Sequence, residues 1–153
     1  IIPLLRKRDI FYGDTMKKLI SFLFITLIIV GCSKEKKELN LSSAEAFTFT
    51  LDKGAELNAS VMAKDFTNAE SNGIYSIYLL YSVNLQKPTG EVIVDFKKGE
   101  LNQPTPEILK DIRIDVQAEL DSTYAKGTYK IIFNVIDKYS NKTAHAEKEF
   151  ELD

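Results

Sequence analysis

Cys32 is the one thiol in the chain, and the residues before it make it the strongest candidate for covalent chemistry. Lys17 and Lys18 are followed by an apolar run from Leu19 to Val30, and Gly31 stands immediately before the cysteine. A cationic start, a short apolar stretch and a small residue at its end are what a secretion signal presents to a signal peptidase. The stretch is too short to span a bilayer comfortably. A thiol is nucleophilic enough to be joined to diacylglycerol through a thioether, and glycine before it leaves the peptide bond accessible to cleavage. Cys32 is therefore expected to be the lipid attachment residue and the first residue of the processed chain. Two or more acyl chains, at about 0.8 kcal/mol per buried methylene, would hold it stably on a membrane.

Other sites of chemistry are sparse. His145 is the single histidine, and alternation in the last strand points it to solvent among Thr143, Glu147 and Glu149. Without a companion histidine it is read as a surface residue, neither metal ligand nor catalytic base. No serine or threonine lies in a nucleophile elbow, and no phosphate-binding glycine loop or zinc spacing occurs. The loop from Asp65 to Glu70, and Asp137 with Asn141, offer oxygens for a cation. Neither has the spacing of a calcium loop, and Lys138 and Lys142 oppose a cation at the second, so both are read as turn chemistry. The expectation is a non-enzymatic chain with no catalytic residues, no metal and no cofactor.

The segment Ile29-Val30-Gly31-Cys32 resembles the lipobox of bacterial lipoproteins, departing from it only in Ile29, where leucine is commoner. The resemblance implies an exported protein of the bacterial cell envelope, lipid-anchored to the outer membrane or cell surface. Residues Ile1 to Thr15 precede Met16 and carry Arg6, Lys7 and Arg8, an odd prelude to a signal peptide. They are read as an upstream extension from a start site placed too early, outside fold reasoning, and their basic cluster is no evidence for nucleic acid. Residues 16–31 are then the signal peptide.

From Cys32 onward the chain holds 15 lysines and arginines against 20 aspartates and glutamates, a net charge of −5. Such a balance gives no pull toward nucleic acid or anionic phospholipid. With a single cysteine no internal disulfide can form, so stability must come from one hydrophobic core. Ser33 to Asn40 is densely charged and lacks aromatics, and residues 32–45 are expected to form a flexible lipidated tether. Extended, it would reach on the order of 40 Å.

Residues 46–153 are dominated by alternation of period two. Ile112, Ile114, Val116, Ala118 and Leu120 alternate with Arg113, Asp115, Gln117 and Glu119, and Tyr129, Ile131, Phe133 and Val135 repeat the pattern. Phe47, Phe49 and Leu51 do so earlier, as do Val92, Val94 and Phe96. Leu57 to Ala63, Ile74 to Val83 and Thr143 to Leu152 complete about seven strands, separated by turn signals such as Asn72-Gly73 and Lys126-Gly127. No amphipathic helix is evident. Gly99 to Lys110, with Pro104 and Pro106, is expected to be a long crossing loop between sheets.

The run Lys126-Gly127-Thr128-Tyr129, an alternating strand to Asp137, and then Ser140-Asn141 before a final strand is similar to the last two strands of bacterial immunoglobulin-like domains. This implies an all-β, two-sheet immunoglobulin-like sandwich of antiparallel strands, with Tyr129 as a tyrosine corner and Asp137 and Asn141 closing the last hairpin. The paired cysteines and tryptophan of antibody domains are missing. In that topology the strands carrying Tyr78 and Leu80, Ile93, and Ile132 and Ile136 are neighbours, and all five residues fall on the face that should be wet. They form a candidate interaction patch for an envelope protein partner. The alternatives are a small-ligand or glycan-binding lipoprotein with a concave site lined by Tyr75, Tyr78 or Tyr81, and a structural subunit of an envelope assembly.

Overall fold

The computed structural model describes residues 38–153. Cys32, the signal segment and most of the expected tether lie outside the described residues. Eight strands follow in order: β1 (Asn40–Thr50), β2 (Ala55–Lys64), β3 (Ala69–Ser71), β4 (Ile74–Gln86), β5 (Val92–Thr105), β6 (Asp111–Leu120), β7 (Gly127–Asp137) and β8 (Thr143–Leu152). The eighth beyond the expected seven is the three-residue β3. Among the described residues no helix is long and apolar enough to cross a membrane.

The strands form two antiparallel sheets, β1-β2-β6 and a five-stranded sheet ordered β3-β4-β7-β8 with β5 on β4. One edge of β4 carries β5 along its length, while the other carries β3 near Tyr75 and β7 from Leu79 onward. With β1, β2 and β6 as strands A, B and E, and β4, β7 and β8 as C, F and G, this is an immunoglobulin-like sandwich whose extra edge strand joins C. Period-two alternation explains the layering. Ile114, Val116, Ala118 and Leu120 of β6 are buried while Arg113, Asp115, Gln117 and Glu119 between them are exposed. They meet Leu57 and Val61 of β2 on one side of the core, with Ile77, Leu79, Val83 and Leu85 of β4 and Ile131, Phe133 and Val135 of β7 on the other.

Two bulges alter which side chains reach that core. Ser42 pairs with Met62 and Glu45 with Ser60, so β1 carries one residue more than β2 there, and Ser43 takes a positive φ of 52°. The extra residue exchanges the two faces of β1. Leu41 is buried before it, Ala44 and Ala46 pack on the core after it, and Phe47 and Phe49 are turned to solvent. In β5, residues 94–96 stand opposite the single Asn84, with Asp95 at a φ of 54° and its N–H donating to the Asn84 Oδ1 at 3.0 Å.

Two boundaries differ from expectation. β1 begins at Asn40, with Leu39 and Leu41 buried, so the last residues assigned to the tether belong to the sandwich. Gly99 to Thr105 continues β5 and does not cross between sheets. Pro104 is tolerated because β5 is an edge strand, where a missing N–H faces solvent. The crossing is left to residues 106–110.

Tyr129 is the expected corner. Its hydroxyl donates to the Ala125 carbonyl at 2.7 Å, and its ring, 1% exposed, stacks on Phe150 with centroids 5.6 Å apart. Gly127 has a φ of 138°, and a Cβ there would press on Pro88 Cγ at 3.0 Å. At the other end of β7 the Asn141 N–H donates to the Asp137 carbonyl at 2.7 Å, with Asn141 in the left-handed region at φ 57°. Asn141 thus closes the hairpin through its backbone, and Asp137 through its carboxylate.

The outer face of the five-stranded sheet

Inner residues on β4 and β7 are fixed by the core, so the residues between them must face outward. Tyr78, Leu80, Ser82 and Asn84 alternate with Ile77, Leu79, Val83 and Leu85, and Lys130, Ile132, Asn134 and Ile136 alternate with the buried side of β7. Register aligns them in rows. Leu80 lies opposite Ile136 and also opposite Glu100 of β5, so Glu100, Leu80 and Ile136 cross three strands. The next row is Lys98, Ser82, Asn134 and His145, and the one after it joins Asn84 to Ile132 and Glu147. His145 is exposed there.

A groove of about 410 Å³ opens over this face, lined by Leu80, Ser82, Lys98, Glu100, Asn134 and Ile136, with Tyr81 and Gly99 beneath. Ile136 is 39% exposed, and Tyr78, Leu80 and Ile132 are half-buried. Above the groove Tyr78 meets Tyr139 edge to face, centroids 6.3 Å apart, and the Tyr139 and Ser76 hydroxyls are hydrogen-bonded at 2.9 Å. Below it Lys130 contacts Glu147 at 2.9 Å and Glu149 at 3.9 Å. The Glu147 hydrogen bond holds the lysine pKa above its ordinary value.

Four of the five expected patch residues, Tyr78, Leu80, Ile132 and Ile136, share this face. Ile93 does not. It pairs with Leu85, whose side chain is wholly buried, and packs on the core. Val92 and Val94 take the solvent side instead, 41% and 68% exposed, and the bulge at Asp95 returns Phe96 to the core. Nor do the three tyrosines line one concavity. Tyr78 is outward, whereas Tyr75 and Tyr81 have the inward parity of Ile77, and the Tyr81 ring crosses Gly99 so closely that a Cβ there would clash with it. The groove-lining Ser82, Lys98, Glu100 and Asn134 are polar strand residues in ordinary alternation, which only the cross-strand register brings together.

Asp137 is the other polar group that the fold treats as special. It is fully buried, and its carboxylate accepts from Thr67 N–H at 2.8 Å, Tyr139 N–H at 2.9 Å, Ser140 N–H at 3.3 Å and Ser140 Oγ at 2.7 Å. Burial alone would raise its pKa, but the bonds from Thr67, Ser140 and Tyr139 outweigh that and hold it below the ordinary value. It therefore serves the fold as a clamp between the β2–β3 loop and the last hairpin. Among the described residues no three His, Cys, Asp or Glu side chains are grouped to hold a metal.

No family model matches this chain, and no curated protein does. Over 75% of its length the chain is similar to part of a β-glucuronidase from Bacteroides uniformis, at 10% identity and a TM-score of 0.49, and spans 13% of that enzyme. Over 66% of its length it is similar to part of a family 123 glycoside hydrolase from Clostridium perfringens, at 13% identity and a TM-score of 0.47, and spans 21% of it. An immunoglobulin-like protein from Pseudomonas aeruginosa aligns with 78% of this chain and 100% of its own, at 15% identity and a TM-score of 0.33. The fold assignment rests on strand order and pairing, and none of these likenesses carries an activity to this chain.

Proposed function

We propose that this chain is a lipid-anchored binding module of the bacterial cell envelope, non-enzymatic, that meets a protein partner through the outer face of β4 and β7. The observation that supports this reading is the cluster of Tyr78, Leu80, Ile132 and Ile136 around an open groove, in a sheet whose other face already has a complete core. An antiparallel sheet that is solvated on one side has no reason to gather apolar residues there. The anchor at Cys32, inferred from the lipobox, would keep the domain at the membrane where that partner resides. A second reading, a small polar ligand or glycan, draws on the groove itself. Leu80 and Ile136 supply apolar contact, and Ser82, Asn134, Lys98 and Glu100 supply donors and acceptors beside it.

The test is chemical cross-linking in envelope preparations, comparing wild type with a Leu80→Thr and Ile132→Thr double variant, which keeps strand propensity. A partner cross-linked by wild type and lost in the variant, with unfolding midpoints alike, is the expected result. An unchanged cross-linking pattern would remove the surface from consideration. Mass spectrometry of the processed N-terminus, with Cys32→Ser as the comparison, tests the anchor separately: an unmodified Cys32 in wild type would refute it.

A further inference from the structure

The opposite sheet carries an exposed surface of different chemistry. Because of the bulge at Ser43, Phe47 and Phe49 stand on the outer face of β1, 46% and 57% exposed, with ring centroids 5.3 Å apart and planes at 84°. In an edge-to-face pair only one ring turns its face to the other, so π surface remains open to solvent. Register fixes what lies beside them. Phe49 is opposite Glu56, and Glu56 is in turn opposite Glu119, so one row crosses the sheet as an aromatic ring and two carboxylates. The neighbouring row is Phe47, Asn58 and Gln117.

Like charges directly opposite one another in an antiparallel pair are destabilising, and neither Glu56 nor Glu119 is ion-paired within the described residues. The cation of these strands nearest by register, Arg113, is held by Asp115 at 2.7 Å and by Glu45 at 3.9 Å. Glu56 is not spared by protonation, since hydrogen bonds from Asn58 and Gln117 hold its pKa below the ordinary value. The face therefore presents an uncompensated carboxylate pair against bare aromatic rings.

We propose that the outer face of β1-β2-β6, built on Phe47, Phe49, Glu56 and Glu119, is a second docking surface that takes the lysine or arginine side chains of a basic polypeptide partner. Charge complementarity selects this occupant. A cationic head can lie over an aromatic face and between the two carboxylates, gaining cation–π and ionic contact together. An anionic ligand is repelled. A neutral sugar would leave the carboxylates as they are, and a second copy meeting face to face would double the like charge.

The test uses the full chain in detergent at about 0.15 M salt, with fluorescein-labelled hexa-arginine as probe and labelled hexaglutamate as counter-probe, read by anisotropy. Hexa-arginine is expected to bind and hexaglutamate not to. Phe49→Leu, which keeps an apolar strand residue, should weaken binding by about fourfold. Glu119→Gln should weaken it by about threefold while leaving the unfolding midpoint equal or higher, because it relieves the like-charge pair. Glu70→Gln on β3 makes the same change in net charge elsewhere and should leave binding as it was. Equal weakening by Glu70→Gln and Glu119→Gln would show a response to net charge only and overturn the proposal. So would absence of hexa-arginine binding, or concentration-dependent dimers abolished by Phe49→Leu, which would give the face to a second copy.

Discussion

The two ends of β7 each bury a polar group, and the fold treats them very differently. At the first end Tyr129 hides a neutral phenol whose hydroxyl has one partner, the Ala125 carbonyl, four residues away in sequence. At the last, Asp137 hides a carboxylate that draws on four donors, one of them Thr67 from a loop 70 positions earlier. A neutral hydroxyl loses little solvation and is satisfied locally. A charge loses far more, and stays ionised only where several N–H and O–H groups replace water. The first end is therefore a packing device with a polar tip, and the last an electrostatic clamp joining distant segments.

Asp137→Ala should break that clamp and produce the largest effect. It strands the Thr67 and Tyr139 N–H groups in a buried site, and the expected loss is roughly 4 kcal/mol in denaturant melts. A loss below that of any Tyr129 substitution would invert the comparison. Tyr129→Ala comes next, at about 3 kcal/mol, since it removes a buried ring stacked on Phe150 and leaves a cavity.

The pH dependence separates the two ends by mechanism. The folded pKa of Asp137 lies below the ordinary 3.8. The unfolded chain therefore takes up its proton first as the medium becomes acid. The stabilisation is complete above the unfolded value and fades as pH falls through the lower folded one. Asp137→Asn should cost about 2 kcal/mol at neutral pH, because its amide keeps one acceptor oxygen where the carboxylate has two, one taking Thr67 N–H and Ser140 Oγ and the other the Tyr139 and Ser140 N–H groups. The gap between wild type and this variant should narrow as pH drops below about 4. A gap that stays constant to pH 2 would mean that the carboxylate charge plays no part.

Much of this architecture was legible in the sequence, because β6 and β7 alternate without interruption and Gly127 with Tyr129 marks a corner. The adjacency of β5, β4 and β7, and with it four of the five patch residues, followed from the immunoglobulin-like order. What was hidden depends on pairings and contacts that exist only in the folded chain. Ser43 and Asp95 adopt left-handed backbone without being glycine, so nothing in the residue types announces the bulges, of which the first exposes Phe47 and Phe49 and the second lets Phe96 pack on the core together with Ile93. Pro104 read as a strand breaker because its edge position depends on a neighbour absent on one side. The role of Asp137 was only half visible. Its bonds within the hairpin are local, whereas the bond to Thr67 exists only once the two sheets have closed.

The smallest effect gives the finest test of the contrast. Tyr129→Phe removes the hydroxyl and keeps the ring, so the stack on Phe150 and the filling of the corner persist while the Ala125 carbonyl loses its donor. A single neutral hydrogen bond contributes about 1 kcal/mol net, and that is the expected cost. Burial pushes the phenol pKa above its usual 10.0, so the group is neutral throughout the acid and neutral range in folded and unfolded chains alike. The cost of Tyr129→Phe should then be the same at pH 3 and pH 7, in direct contrast with Asp137→Asn. A pH-dependent loss at Tyr129 would mean that the two ends of β7 are electrostatically coupled across the strand, and that the division into a packing end and a charged end is wrong.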